Sequence, residues 1–211
     1  MCGRFNRHHT AEEVGRRFGV APLAAAGVEE YNISPTQPVP VIIQDESRRM
    51  IICHWGLIPH WASDDSMASR MINARAETLS EKPSFREALF KRRCLVPADG
   101  FYEWPKHGPL SGQIVEVARA DGELMALAGL WEEWRSADGT MRRTFTIITV
   151  EPNSLMAQYH YRMPAILTRE EEPAWIDPSK DPHSATRLLR SYPEDDLVAR
   201  PVGRDRLYPR G

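Results

Sequence analysis

Apolar residues cluster along this chain in short runs at 38–44, 49–56, 94–97, 113–119, 124–131, 141–150 and 164–167. Each run has the length and the Val, Ile and Leu content of a strand. Three Asp-Gly pairs, Asp99-Gly100, Asp121-Gly122 and Asp138-Gly139, are turn signals, and the last two separate consecutive runs as hairpin turns would. Helices are marked by an acceptor three residues ahead of a glutamate, in Thr10 with Glu13, Ser84 with Glu87 and Thr168 with Glu171. The Arg- and Leu-rich segment 183–191 adds a fourth, weaker helical signal. Strands grouped into hairpins, with helices inserted between the groups, predict an α+β fold with a mainly antiparallel core rather than a regular βαβ winding. No repeat, low-complexity run or linker divides the chain, so residues 1–211 read as a single domain.

Composition narrows the picture. A chain of 211 residues with 42% hydrophobic and 27% charged positions supports one full core. It contains no apolar stretch approaching the ~18 residues of a membrane span and no basic start followed by an apolar run. A cytoplasmic, monomeric protein without membrane attachment is the expectation. Cys2, Cys53 and Cys94 form no C-x-x-C pair, and His8, His9, His54, His60, His107 and His183 lack ligand spacing. Neither a metal nor another cofactor is expected. With 27 basic and 29 acidic residues the net charge is −2, so a nucleic-acid site must be local rather than a property of the whole surface. Arginine outnumbers lysine 23 to 4, a bias that coding in a GC-rich genome accounts for.

The candidate chemistry begins at the N-terminus, Met1-Cys2-Gly3-Arg4-Phe5. Removal of Met1 ahead of a small residue would leave Cys2 with both a thiol and a free α-amine, groups that are each partly deprotonated near neutrality. Such a 1,2-aminothiol condenses with an aldehyde through a Schiff base and closes to a five-membered thiazolidine. The same terminus could attack an amide, with the amine activating the thiolate, as in N-terminal-nucleophile hydrolases. A cysteine here is also compatible with plain burial at the start of a strand. Composition does not choose among these three readings.

Further motifs do. Met71-Ile72-Asn73-Ala74-Arg75-Ala76-Glu77, Pro97-Ala98-Asp99-Gly100-Phe101-Tyr102-Glu103-Trp104 and His160-Tyr161-Arg162-Met163-Pro164 follow in order, with Trp55-Gly56-Leu57-Ile58-Pro59-His60-Trp61 between the first of them and the N-terminal Cys-Gly-Arg-Phe. Together, over residues 2 to about 167, they closely resemble the SRAP family, the SOS response-associated peptidases or abasic-site-processing proteins. The resemblance implies a single α+β domain around a β-barrel-like core. It implies covalent attachment to abasic sites in single-stranded DNA through a thiazolidine at Cys2, together with autoproteolytic loss of Met1, abasic-site lyase activity and slow reversal of the crosslink. By motif, Asn73, Glu103 and His160 would complete the catalytic site with Cys2. Arg4, Arg75 and Arg162 would hold the DNA, and Trp61 and Pro40, in Pro38-Val39-Pro40, would wedge between bases. The replication machinery is a further partner that this function implies.

The residue types suit that chemistry. An abasic deoxyribose rests mostly as a closed hemiacetal, and an imidazole, His160, can exchange protons to open it. A carboxylate, Glu103, can accept the Cys2 amine proton, and Asn73 can hydrogen-bond either the sugar or the Cys2 terminus. Taken singly the same residues have ordinary readings: Glu103 as an outward polar strand residue, Asn73 as a turn former, His160 as a helix-end histidine, and Arg75 with Glu77 as a surface ion pair. Trp55, Trp131 and Trp134 read as packing residues, and Cys53 and Cys94 as inert filler. Two positions depart from the family pattern: Tyr161 stands where an acidic or amide residue is common, and the tail after Arg204 is short. A glutamine amidotransferase-like amidohydrolase and a non-catalytic single-strand-binding module are the rival readings.

Overall fold

A computed structural model describes residues 2–23 and 30–208. In chain order these form β1 (Phe5–Arg7), α1 (Ala11–Phe18), β2 (Glu30–Ile33), β3 (Pro38–Gln44), β4 (Arg48–Trp55), β5 (Asn73–Arg75), α2 (Pro83–Lys91), β6 (Arg93–Ala98), β7 (Gly100–Glu103) and β8 (Ile114–Arg119). There follow β9 (Met125–Arg135), β10 (Met141–Val150), α3 (Ser154–Ala157), β11 (Met163–Pro164), β12 (Ile166–Leu167), α4 (Glu172–Ile176), α5 (Pro182–Thr186), β13 (Leu197–Val202) and α6 (Arg204–Leu207).

Five strands close on themselves in the order β10-β4-β3-β6-β9 and back to β10. All of these pairings are antiparallel except β4 with β10, where His54 and Trp55 run parallel to Thr144 and Phe145. The ring is therefore a mixed barrel, which leaves its own strands no open edge. The β9–β10 hairpin turns at the expected Asp138-Gly139, where Gly139 takes φ +87° and the Asp138 carboxylate accepts the Thr140 N–H at 2.9 Å. The interior is tight enough that a Cβ on Gly129 of β9 would lie 2.9 Å from the Thr146 carbonyl oxygen. Cys53 and Cys94 are fully buried in this wall, as filler residues would be, and burial raises both thiol pKa values.

A second sheet, in the order β13-β8-β7-β1-β2, carries the N-terminal strand and contacts the barrel where β1 meets β6. Trp55 joins the two layers. Its buried ring meets Phe5 of β1 edge-on at 5.1 Å and stacks toward Phe145 at 6.3 Å, while its indole N–H donates to the Ile72 carbonyl at 2.8 Å. One tryptophan thus fixes the start of β1 and the residue before β5 to the barrel. Truncating a buried ring of this size costs about 3–5 kcal/mol.

Three local expectations change. Asp121-Gly122 does not turn a hairpin, because β8 pairs with β7 and β13 whereas β9 enters the barrel, so this turn carries the chain between sheets. Ser84 does not cap α2: the helix starts at Pro83, which supplies the φ of a first helical residue and needs no N–H partner there. The 183–191 segment shortens to α5, capped at its N-terminus by Asp181. Thr10 and Glu13 do form a complete capping box on α1. At Thr168 the Glu171 carboxylate returns to the backbone N–H at 3.0 Å, with α4 beginning one turn later.

Candidate active site

Strand register assembles the site. The antiparallel pairing of β1 with β7 sets Phe5 opposite Phe101 and Asn6 opposite Gly100, and the Tyr102 N–H donates to the Arg4 carbonyl at 2.9 Å. The residues preceding Phe5 therefore run beside the end of β7, where Glu103 lies. The parallel pairing of β5 with β10 brings in Asn73, opposite Ile147. Alternation along β5 buries Ala74 in the core and leaves Asn73 and Arg75 on the other face. Asn73 Nδ2 donates to the Cys2 carbonyl at 2.9 Å, so the amide holds the N-terminal segment directly.

The electrostatics divide the labour among these groups. Cys2 is fully buried, and its thiol pKa is pushed far up by burial and then by the charge of Glu103. Glu103 is only 5% exposed, against the outward orientation that its place between two aromatic residues would suggest. Burial raises its carboxyl pKa, and the positive amino terminus works in the opposite direction. His160 follows α3 and is half-buried. Its pKa is lowered by burial first and by the amino-terminal charge second, so the imidazole is neutral at pH 7. His160 Nδ1 faces the Arg162 backbone, with the Arg162 N–H at 2.9 Å and its carbonyl oxygen at 3.2 Å, which fixes the ring's orientation.

A groove of about 950 Å³ opens at His160, lined also by Arg75, Trp104, Lys106 and Tyr161, while Cys2, Asn73 and Glu103 are not among its lining residues. Of the positions expected to hold DNA, Arg75 is exposed on this groove and makes no side-chain hydrogen bond or ion pair among the described residues. Arg4 is half-buried, with its guanidinium donating to Asn32 Oδ1 at 3.0 Å. Trp61 is 54% exposed in the loop after β4 and does not line the groove.

Two expectations are corrected here. Pro40 lies buried in β3, paired with Ile52, and has no surface to offer as a wedge. Arg162 is 7% exposed and engaged within the protein, with two hydrogen bonds to Glu77 at 2.8 and 2.9 Å and one to the Thr149 carbonyl at 2.6 Å. Glu77 thus pairs with Arg162, not with Arg75, and it is this exchange of partners that leaves Arg75 available.

The sequence reading gave no role to Lys106, His107 or Tyr159, which also line the groove; the only advance signal was a basic pair just after Glu103. It also missed a buried brace behind β1 and β7. Asn6 Nδ2 donates to the Tyr102 hydroxyl at 2.7 Å and to Glu116 at 2.8 Å, and Tyr102 donates to the Tyr31 carbonyl at 3.0 Å. Arg200 and Arg206, from β13 and α6, close on the same Glu116 at 2.9 and 3.2 Å. β13 and α6 therefore support the strands that carry the site. Among the described residues no group of three or more His, Cys, Asp or Glu side chains converges as a metal site would. No helix among the described residues is long and apolar enough to cross a membrane.

Fold and site together define a member of the SRAP family: the chain matches the SOS response associated peptidase (SRAP) family over residues 1–205 and belongs to it. Among its relatives, the abasic site processing protein YoqW of Bacillus subtilis is 43% identical over 203 residues, covering 94% of this chain and 91% of that protein. The abasic site processing protein HMCES of Xenopus tropicalis is 31% identical over 207 residues, covering 82% of this chain and 60% of its own length. A crystal structure of a Bacteroides thetaiotaomicron protein superposes with a TM-score of 0.89 at 30% identity, covering 97% of this chain and 93% of that one.

Proposed function

We propose that this protein processes abasic sites in single-stranded DNA by covalent attachment through Cys2 after Met1 has been removed. The observation that carries the reading is the hydrogen bond from Asn73 to the Cys2 carbonyl beside the buried carboxylate of Glu103, which supports a held and chemically assisted N-terminus. Relatives that share 31–43% of the sequence bear the name of abasic site processing proteins, which supports the same substrate.

The chemistry runs in four steps. Neutral His160 passes protons between the anomeric hydroxyl and the ring oxygen, opening the hemiacetal to the aldehyde. Glu103 takes a proton from the Cys2 ammonium, and the freed amine adds to C1′ and expels one water to give the imine. The Cys2 sulfur then adds to the imine carbon while its proton passes to nitrogen, closing the thiazolidine with no further leaving group. A buried, protonated thiol suits this order, because the amine forms the first bond and the sulfur follows within the same residue.

Two further activities share the site. Hydrolysis of the Met1–Cys2 peptide bond consumes one water and exposes the amine. From the imine, loss of a C2′ proton can expel the 3′ phosphate, a lyase reaction that ring closure suppresses.

The test is denaturing electrophoresis after incubation with a single-stranded oligonucleotide bearing one natural abasic site. A heat- and detergent-stable shifted band is expected from protein whose intact mass shows loss of Met1. It should be absent from Cys2→Ser, which retains the amine but cannot close the sulfur ring, and from protein carrying an uncleaved N-terminal tag. A durable adduct with either of these would move the nucleophile elsewhere and overturn the reading.

A further inference from the structure

Tyr161 follows His160 in the chain, and its geometry gives it a use. The ring is 62% exposed, and its hydroxyl makes no hydrogen bond among the described residues, so no polar contact there explains its position. It lies nearly parallel to the His160 imidazole, with centroids 4.3 Å apart and planes at 26°. It lines the groove that also presents Arg75, Lys106 and His107, against the single carboxylate of Glu151. An exposed aromatic face on a positively charged wall is the arrangement that holds single-stranded nucleic acid, with cations along the phosphates and a ring under a base.

We infer that Tyr161 is a stacking platform for the nucleobase next to the abasic position, and that it gives this protein a preference for a purine there. The inference rests on the proposed function, because it takes His160 to act on the lesion sugar. Stacked nucleotides in one strand advance by about 3.4 Å. A ring centred 4.3 Å from the imidazole that acts on the lesion sugar is thus within reach of the nucleotide adjoining it. At the lesion itself there is no base to stack, so the first π-face available to Tyr161 belongs to the neighbour. A purine covers more of the phenol ring than a pyrimidine does, and stacking strength sets the modest base preferences of single-strand binders.

The experiment measures fluorescence anisotropy with single strands carrying a tetrahydrofuran analogue, which has no aldehyde and so reports binding without chemistry. The neighbouring base is adenine in one strand and thymine in the other. Wild type is expected to bind the adenine strand several-fold tighter. Tyr161→Phe should behave as wild type. Tyr161→Leu should bind the adenine strand about tenfold more weakly, within the range that loss of one stacked base produces, and should lose the adenine preference. The dependence of affinity on salt should stay the same in all three, because no charge changes.

Equal binding of the two strands by wild type overturns the inference, and it does so without recourse to any variant. So does Tyr161→Leu binding within about twofold of wild type with its preference intact. In either case, if wild type still crosslinks a natural abasic strand, the proposed function stands and only the platform falls. If wild type neither binds the analogue strand nor crosslinks the natural one, the proposed function fails and the inference fails with it.

Discussion

Arg162 and Arg75 exchange roles between sequence and structure, and the exchange can be measured. In Arg162→Ala the protein loses two hydrogen bonds to Glu77 and one to the Thr149 carbonyl, all from a guanidinium 7% exposed. A fully buried pair broken on one side would cost about 3–5 kcal/mol, but the Glu77 partner is partly open to water, which screens its charge. The expected loss is about 2–3 kcal/mol, or a fall in Tm of about 4–12 °C for a domain of this size. Arg75→Ala removes an exposed side chain with no hydrogen-bond or ion-pair partner among the described residues, so its Tm should stay near wild type while the salt dependence of single-strand affinity flattens by about 0.7. Thermal unfolding and anisotropy titrations from 50 to 200 mM salt, roughly the range over which phosphate contacts weaken most visibly, read both quantities.

The Arg162 pair also has a pH signature. Hydrogen bonding from Arg162 lowers the Glu77 carboxyl pKa in the folded state. Its contribution is therefore present above the ordinary glutamate value of about 4.3 and is lost as pH falls through the lower folded value. The Tm gap between wild type and Glu77→Gln should close below about pH 4. The reasoning is refuted if Arg162→Ala unfolds within about 2 °C of wild type and flattens the salt slope, while Arg75→Ala does neither.

Three expectations concern the groups proposed to act in catalysis. His160→Ala should slow crosslinking to a natural abasic site more than reaction with a small, already open aldehyde, as read by single-turnover rates; equal slowing of both would remove the ring-opening role. Glu103→Gln should slow both substrates, since it acts on the amine common to both reactions. Because burial raises the Glu103 pKa, the folded state holds that proton more tightly than the unfolded state, and stability falls as pH rises through the window between the two values. Glu103→Gln should accordingly unfold at a higher temperature than wild type at pH 8, with the difference closing near pH 4; a variant less stable than wild type at pH 8 would contradict this.

Outside the barrel β1, β2, β5 and β13 carry no apolar run that marked them, whereas local chemistry in the chain was enough for the five barrel strands, the α1 capping box, the Asp138-Gly139 hairpin and the choice of Asn73, Glu103 and His160 as candidates by motif. Each of these depends on neighbours within a few positions, or on a motif whose residues are themselves in the chain. Which strands pair is a different kind of fact. Asp121-Gly122 has hairpin chemistry, yet β8 and β9 belong to different sheets, because closing the barrel buries more of β9 against β6 and β10 than a local turn could. Burial likewise turned Glu103 inward, hid Pro40 and gave Glu77 to Arg162, 85 positions away. Beyond the basic pair after Glu103, the groove with Tyr161 on its wall and the Glu116 brace from β13 and α6 have no sequence signature, since they consist of contacts between segments far apart in the chain. The sequence by itself determined which reactive side chains the chain carries and the local shapes that hold them. Only the tertiary structure decided which charged groups are already satisfied within the protein and which face outward, because that depends on long-range pairing and on the cost of leaving a buried charge alone.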